Sequence, residues 1–290
     1  MSHEHAIAAN GVTVRYGRKV AVDDLTLRVP TGSVYALLGR NGAGKSSLVR
    51  CLLGQRKSEA GNVTLLGMDV WSERQRLMDL VGVVPEDSDA PPQMTVRELA
   101  AFCARVYSRW QGVTFDECLD RFSISTTARF GELSKGHKKG VMLAVALAMS
   151  PEILVLDDPT LGLDVVARRS LFDEVIGEMA ERGITTLITT HDLGGIEALA
   201  DRVAIMKDGR IVLEEETEAL KNRFRRIRFA AAPVALSNLA TAAVRSWGSG
   251  TEAIVSNYDE RTSERFPHAE ISPLSLEEIF IAVSGEGEKS

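Results

Sequence analysis

The sequence predicts an α/β fold, a mixed and largely parallel sheet with flanking helices. Apolar, β-rich runs alternate with helical stretches along much of the chain, which is the pattern of a parallel sheet. The run at 33–38 leads directly into a glycine-rich loop and a helix, and the run at 153–156 ends in two carboxylates. Together these three observations indicate a sheet built from successive strand and helix units.

The N-terminal region contains several short strands. β-rich runs separated by glycine-containing turns lie at 6–14, 21–29 and 33–38. Further strands are predicted at 62–66 and 80–84. The chain therefore predicts an antiparallel β subdomain beside the main sheet.

A helical insertion follows, over about 86–150. Thr95 is predicted to be an N-cap, with Glu98 three residues later to complete a capping box. Helical periodicity continues at 115–122 and 136–149. The insertion therefore interrupts the alternation of strands and helices in the parallel sheet.

Strands resume after the insertion. A helix at about 165–182 precedes an apolar strand at 185–189. The segment 204–214 reads as a β-hairpin with Asp208 and Gly209 at its turn, a dipeptide that strongly favours two-residue hairpin loops.

The chain is expected to divide into two domains and a tail. Residues 1–224 form the large domain, 225–284 a small C-terminal α/β domain with an alanine-rich helix near 236–247, and 285–290 a frayed tail. The basic segment 221–228 is interpreted as a solvated linker, in preference to a contact with anionic lipid headgroups.

Composition excludes several classes of protein. The net charge of −6 argues against a dedicated nucleic-acid binder, so no nucleic-acid partner is expected. Cys51, Cys103 and Cys118 have no CxxC spacing and are expected to be reduced thiols. No apolar run approaches the roughly 18 residues of a membrane span, and no signal peptide is recognisable. Any membrane function would be exerted from the cytoplasmic side through partners.

The glycine-rich loop matches the pattern G-x-x-x-x-G-K-[ST] and is followed by a predicted helix at 45–54. Its backbone N–H groups and Lys45 are expected to hold a triphosphate, while the Ser46 hydroxyl binds Mg²⁺. A glycine turn without a ligand is the alternative, which the flanking strand and helix disfavour. The expected nucleotide-binding residues are Gly39, Arg40, Asn41, Gly42, Ala43, Gly44, Lys45, Ser46 and Ser47.

The order of motifs resembles the ATP-binding subunit of an ABC transporter over about the first 225 residues. The resemblance implies a P-loop NTPase core and a head-to-tail dimer. In that family a Leu-Ser-Gly-Gly-Gln segment contacts the γ-phosphate held by the other subunit. Here the segment 133–137 is Leu-Ser-Lys-Gly-His, so it departs at its third and fifth positions. Ser134 and Gly136 retain the parts that bind an anion.

Three acidic residues are assigned by the same resemblance. Asp157 corresponds to the aspartate associated with Mg²⁺. Asp158 stands where the family usually has the glutamate that polarises the attacking water, and Glu86 stands where it generally has a glutamine that contacts Mg²⁺ and water. An aspartate is one methylene shorter, and displacing a catalytic group by about 1 Å can lower a rate by ~100-fold. Neutral drift with normal activity is the alternative for both substitutions.

Three further residues complete the implied site. Tyr16 occupies the position where the family stacks an aromatic ring on adenine, although an ordinary strand tyrosine is the alternative. Asp164 resembles the loop through which the two subunits sense each other, and His191 the histidine that contacts the γ-phosphate.

The resemblance implies a function. The chain is expected to bind ATP and Mg²⁺, to hydrolyse ATP as a homodimer or heterodimer, and to power a separate integral-membrane permease, as an exporter. It would lie peripherally on the cytoplasmic face of the cell membrane. The alternatives are a weakly hydrolysing or regulatory ATP-binding clamp, because of Asp158, and a soluble ABC ATPase that is not coupled to transport.

Overall fold

A six-stranded sheet forms the centre of the protein, whose computed structural model describes residues 4–87, 89–230, 239–247 and 250–285. Its strands are β3 (Val34–Gly39), β6 (Val81–Val84), β7 (Ile153–Asp157), β8 (Thr185–Thr190), β9 (Arg202–Lys207) and β10 (Arg210–Glu216). Their order is β10-β9-β3-β8-β7-β6, and only β10 is antiparallel to its neighbour. The predicted largely parallel sheet is therefore confirmed.

A second, antiparallel sheet lies in the N-terminal region, as predicted. Its strands are β1 (His5–Tyr16), β2 (Lys19–Pro30), β4 (Ala60–Leu65) and β5 (Met68–Asp69), in the order β2-β1-β4-β5. β1 pairs with both β2 and β4, so it is an interior strand of this sheet.

The helices between β6 and β7 correspond to the predicted insertion. The capping box of the first one is confirmed, because Glu98 N donates to Thr95 Oγ1 (3.2 Å) and Thr95 N to Glu98 Oε2 (2.8 Å). The helices of the large domain are α1 (Lys45–Leu52), α2 (Arg74–Met78), α3 (Val96–Val106), α4 (Gly112–Arg121), α5 (Lys135–Ala148), α6 (Val165–Arg182), α7 (Ile196–Leu199) and α8 (Thr217–Arg223).

Strand β3 shows why the central sheet is stable. Val34, Ala36 and Leu38 point into a core shared with α5, whereas Tyr35 and Leu37 point into a second core on the other face. All five side chains are buried, so apolar surface is removed from water on both faces of the sheet. This burial stabilises the fold by about 25 cal/mol per Å² of apolar surface. The strand that precedes the glycine-rich loop is thereby held rigidly.

The C-terminal region forms a third sheet, antiparallel and of order β12-β13-β11-β14. The predicted alanine-rich helix near 236–247 is wrong in its described part, because residues 241–247 form a strand that pairs with its neighbour; 231–238 lie outside the described residues. The elements are β11 (Arg225–Phe229), β12 (Thr241–Trp247), β13 (Gly250–Val255), α9 (Glu260–Arg265), β14 (Glu270–Pro273) and α10 (Leu276–Ser284).

The last helix belongs to the large core. Leu276, Ile279 and Phe280 of α10 pack in the same core as the central sheet. The strands of the C-terminal region thus form their own sheet, while α10 packs on the large domain. The domain boundary at 224/225 stays a prediction, and most of the expected tail, 286–290, lies outside the described residues.

The basic segment 221–228 is not a solvated linker, which corrects the prediction. It forms the end of α8 and most of β11, and its cations pair with acidic side chains. Lys221 Nζ lies 3.0 Å from Glu197 Oε1, and Arg223 Nε lies 2.5 Å from Glu215 Oε2. Acidic side chains of the same chain thus neutralise these cations, so a contact of this segment with anionic lipid headgroups is not favoured either.

Three smaller expectations concern the cysteines, membrane-spanning helices and the hairpin turn. The cysteines are buried and carry no disulfide. Among the described residues, no helix combines the length and the apolar character that crossing a bilayer requires. The hairpin turn is also confirmed, since Asp208 and Gly209 both have positive φ, at 49° and 83°, as a two-residue hairpin loop requires.

Candidate nucleotide site

A cavity of about 470 Å³ opens where several strands of the central sheet end. The loop 40–47, which follows β3, forms one wall. Glu86, two residues beyond β6, and Asp158, directly after β7, form another. The carboxyl ends of parallel strands are the usual place for a ligand site in an α/β sheet. Tyr16, Lys19, Ala21 and Arg50 complete the lining.

The loop owes its shape to glycine. Gly42 and Gly44 have φ of 84° and 112°, a region that side-chain-bearing residues rarely adopt. A Cβ at Gly44 would lie 2.2 Å from the carbonyl oxygen of Ala21, so only glycine fits there. Helix α1 begins at the next residue, and its unpaired N–H groups and positive dipole end therefore face the cavity.

Lys45 is held at the base of the loop. Its Nζ donates to the carbonyl oxygen of Gly39 (2.7 Å) and lies 4.0 Å from Asp158 Oδ2. Burial lowers the pKa of Lys45, while Asp158 and Asp157 raise it. A desolvated cation attracts an anion more strongly than a surface cation does, which suits this position to a phosphate.

Asp157 and its surroundings offer oxygen ligands. Thr189 Oγ1, on β8, donates to Asp157 Oδ1. Burial raises the pKa of Asp157, the Thr189 hydrogen bond lowers it, and the negative charge of Asp158 raises it. A divalent cation nearby would stabilise the ionised form, so this carboxylate fits a metal site.

The donor set suits Mg²⁺. Ser46, Asp157 and Glu86 supply a hydroxyl and carboxylates, the hard oxygen ligands that this ion prefers. In the described part of the chain, no three His, Cys, Asp or Glu residues cluster closely enough to hold a metal by themselves. Mg²⁺ characteristically binds through one or two protein carboxylates together with substrate phosphates.

Asp158 forms a pair with His191. Its Oδ1 accepts from Thr190 Oγ1 (3.0 Å) and lies 3.0 Å from His191 Nδ1. Asp158 has a φ of 44°, and aspartate is among the few side-chain-bearing residues that visit this region readily. The left-handed turn aims the carboxylate back toward the end of β8, so that Asp158 orients the imidazole.

Tyr16 lies at the mouth of the cavity and is 40% exposed. The guanidinium carbon of Arg56 lies 4.8 Å from the centre of its ring, a cation–π geometry. One ring face is thereby occupied by Arg56. The exposed surface leaves room for a second flat group at the cavity.

Ser134, Gly136 and Asp164 do not line this cavity. Ser134 caps α5, with Oγ accepting from His137 N (3.1 Å), and Asp164 Oδ1 accepts from Ala167 N (2.8 Å) at the start of α6. Gly136 permits close packing, because a Cβ there would lie 3.3 Å from Ala167 Cβ. Each of the three residues thus has a local structural role. Within one chain, none of them lines the cavity formed by the loop 40–47.

The structure adds residues that the motifs did not reveal. Lys19 and Arg50 join Arg40 and Lys45, so the cavity lining has four basic side chains and two carboxylates. This excess of positive charge suits the binding of a polyanion. Lys139 on α5 reaches the loop that carries Glu86. The helical period was a usable signal, because Lys139 lies one turn before Leu143 on the apolar face of α5.

Comparisons with known proteins agree with this geometry. A family model described as ABC transporter matches residues 22–161. The Nod factor export ATP-binding protein I of Burkholderia orbicola (strain AU 1054) is 38% identical over 218 residues, which cover 72% of this chain and 70% of that protein. The protein of the same name from Mesorhizobium japonicum (strain LMG 29417 / CECT 9101 / MAFF 303099) is 36% identical over 220 residues. These residues cover 74% of this chain and 64% of the length of that protein.

Solved structures show the same fold. The cbiO1 protein of Clostridium perfringens, described as part of the ABC transporter complex cbiONQ, is 27% identical with a TM-score of 0.65, over 74% of this chain and 90% of that one. A dimeric bacterial ABC transporter cassette matches with a TM-score of 0.67 at 23% identity, over 73% and 98%, which is a likeness of fold. This chain therefore has the P-loop NTPase fold and belongs to the ATP-binding subunits of ABC transporters, a family of ATPases.

Proposed function

We propose that this chain binds MgATP in the cavity beside the central sheet and hydrolyses it to drive export through a separate membrane permease. One observation carries the proposal. The loop 40–47, Glu86, Asp157, Asp158 and His191 follow or end four neighbouring strands, β3, β6, β7 and β8. The chain thus brings phosphate-binding groups, metal ligands and an acid–histidine pair to one edge of the sheet.

The nucleotide contacts follow from the cavity. The loop amides and Lys45 bind the β- and γ-phosphates, and adenine stacks on the face of Tyr16 that Arg56 leaves open. Ser46, Asp157 and Glu86 would hold Mg²⁺, which would neutralise the negative charge of the phosphates.

Asp158 and His191 act on the γ-phosphate side. The Asp158 carboxylate fixes the orientation of the His191 ring through their 3.0 Å contact. His191 is placed to donate to a γ-phosphate oxygen, and Asp158 to accept a hydrogen bond from the attacking water. Both of these hydrogen bonds form only with substrate in the cavity. Without it, Asp158 Oδ1 accepts a hydrogen bond from Thr190 Oγ1.

A second subunit completes the site. Ser134, Gly136 and Asp164 lie outside the cavity of their own chain, and in a head-to-tail dimer they would face the nucleotide of the other subunit. The partner is either a second copy of this chain or a homologous ATP-binding subunit. Contacts to the γ-phosphate exist only with ATP, so hydrolysis reopens the dimer.

The permease docks on the helical insertion in this proposal, at the cytoplasmic face of the membrane. Phe102 and Val106 on α3 are 58% and 55% exposed and lie one turn apart. Neighbours at i and i+4 form a continuous apolar strip that fits an amphipathic cytoplasmic helix. The Nod factor export proteins among the relatives support export as the direction of transport.

Nucleotide binding is tested with Lys45→Met. The variant should bind ATP at least about tenfold more weakly by titration calorimetry, because removing a buried cation next to phosphates costs more than ~1.4 kcal/mol. Lys57→Met is the matched control, since Lys57 lies over the Trp71 ring outside the cavity. The proposal fails if the unmodified protein ignores millimolar ATP, or if both variants bind alike.

Permease docking is tested with Phe102→Asp. A carboxylate on the apolar strip should abolish co-purification with membranes and leave ATP hydrolysis in solution unchanged. Val244→Asp, at a 49% exposed position on β12, is the control. Equal membrane association of the two variants would remove α3 as the docking surface.

A weakly hydrolysing ATP-binding clamp is the second candidate function. The observation that favours it is the position of Asp158, whose Oδ1 is engaged by Thr190 and His191 and whose Oδ2 lies 4.0 Å from Lys45 Nζ. Such a subunit would close on ATP and rely on a partner subunit for turnover. Comparing the rate of hydrolysis of the isolated chain with its rate of ATP binding distinguishes the two candidates.

A further inference from the structure

Lys139 is a buried cation on α5. It is 4% exposed, although charged residues are rarely buried without partners. Its Nζ donates to the carbonyl oxygens of both Pro85 and Glu86, each at 2.6 Å. Two short, charge-assisted hydrogen bonds to consecutive carbonyls fix the backbone of that loop more firmly than one contact would.

The loop held by Lys139 lies beside the nucleotide site. Strand β6 runs parallel to β7 with Val84 opposite Leu156, so the residues that follow the two strands are neighbours. Glu86 lines the cavity and is exposed there. The carboxylates of Asp157 and Glu86 act on the Lys139 ammonium, opposing the effect of burial on its pKa.

Packing alone does not account for a lysine here. Leu143 and Ala146 continue the same face of α5 and are buried apolar residues, so an apolar side chain would fill the position at a lower desolvation cost. A methionine, however, would leave the Pro85 and Glu86 carbonyls without these donors. The distinctive contribution of the lysine is its pair of hydrogen bonds.

We infer that Lys139 is a positioning residue of the nucleotide site, which holds the Pro85–Glu86 loop against α5 so that the Glu86 carboxylate faces the cavity. The inference rests on the proposed ATPase function of that cavity. Ser134 caps the same helix five residues earlier, about 7.5 Å along its axis. The helix that presents Ser134 to a second subunit therefore also carries the support of the metal-binding loop in its own subunit.

Residue-specific proteolysis tests the loop without nucleotide. A glutamyl endopeptidase cleaves after Glu86, whose side chain is exposed. Lys139→Met should release the loop and speed the appearance of the fragment ending at Glu86 by several-fold. Lys138→Met is the matched control, because Lys138 Nζ lies over the Phe130 ring, 5.6 Å from its centre. Lys139→Gln, which keeps a donor, should give an intermediate rate.

Kinetics test whether the support matters for catalysis through Glu86. In Lys139→Met, kcat for ATP hydrolysis should fall by about 10- to 100-fold, as for a misplacement of roughly 1 Å, with KM for ATP changed less than about threefold. In a Glu86→Ala background the same change should cost less than about threefold in kcat, because no metal-binding side chain remains at position 86 to be positioned.

The outcomes separate the ideas. If cleavage after Glu86 is no faster in folded Lys139→Met and Lys139→Gln than in Lys138→Met, Lys139 does not hold the loop. An undiminished loss of kcat in the Glu86→Ala background would overturn its action through Glu86. Failure of the unmodified protein to bind ATP sinks the proposed function instead, whereas the cleavage rates would still report on the loop.

Discussion

Asp158→Glu probes the chemistry of the site most directly. Asp158 is 6% exposed, and its carboxylate is drawn toward β8 by Thr190 Oγ1 and His191 Nδ1, both at 3.0 Å. Its other oxygen lies 4.0 Å from Lys45 Nζ, short of a close ion pair. One more methylene extends the side chain by about 1.5 Å, enough for the carboxylate to reach into the cavity.

The size of the effect follows from one gain and two smaller costs. A displacement of roughly 1 Å can cost ~100-fold in rate, which corresponds to about 2.7 kcal/mol that a better-placed carboxylate could recover. Leaving the hydrogen bond with Thr190 costs about 1 kcal/mol. Glutamate also tolerates the φ of 44° less well than aspartate, at a few tenths of a kcal/mol. The net gain of about 1.4 kcal/mol predicts an increase in hydrolysis on the order of tenfold.

Phosphate release at saturating MgATP measures this increase under steady-state conditions. Asp157→Glu is the matched control, because it adds the same methylene at the preceding residue. The Asp157 carboxylate already accepts a hydrogen bond from Thr189 Oγ1, so the hydrolysis rate of this variant should fall. If Asp158→Glu shows no gain, the aspartate is adequate as it stands or another step limits turnover. A gain in both variants would refute the assignment of separate tasks to the two carboxylates.

Two further predictions concern adenine binding and the C-terminal sheet. Tyr16→Ala should weaken ATP binding by about tenfold, since stacking of a base on an aromatic ring contributes ~1–3 kcal/mol, and should leave inorganic tripolyphosphate binding unchanged in the same fluorescence titration. Burial raises the pKa of Glu252, but hydrogen bonds from Arg228 and Arg245 lower it below the ordinary 4.5. Its stabilising contribution is therefore complete above pH 4.5 and lost as pH falls through the lower folded pKa. Glu252→Gln should cost about 3 kcal/mol at neutral pH and flatten the acid dependence of thermal melts; identical acid profiles would contradict this.

Features that depend on a few neighbouring residues were predictable from the sequence. The glycine-rich loop requires glycine at fixed positions, the capping box joins Thr95 to Glu98, and the hairpin turn needs positive φ at Asp208 and Gly209. In each case the decisive interaction spans at most a few residues, so the amino-acid order carries it. The parallel sheet was predictable as well, because doubly buried strands are apolar throughout.

Local reasoning failed where distant partners decide the structure. The segment 241–247 has a composition that suits a helix, but pairing with β13 makes it a strand. The basic segment 221–228 looked solvated because its partners, such as Glu197, are remote from most of it in the sequence.

The amino-acid order by itself determined that this chain has a glycine-rich loop between a strand and a helix, a carboxylate-ended strand and the motif order of its family. Only the tertiary structure decided that Asp158 pairs with His191 and that Lys139 donates a hydrogen bond to the carbonyl oxygen of Glu86. The contacts of Asp158 and Lys139 join residues 33 and 53 positions apart. Sequence spacing carries no such information, because a distance of 3 Å across a sheet edge is set by which strands are neighbours.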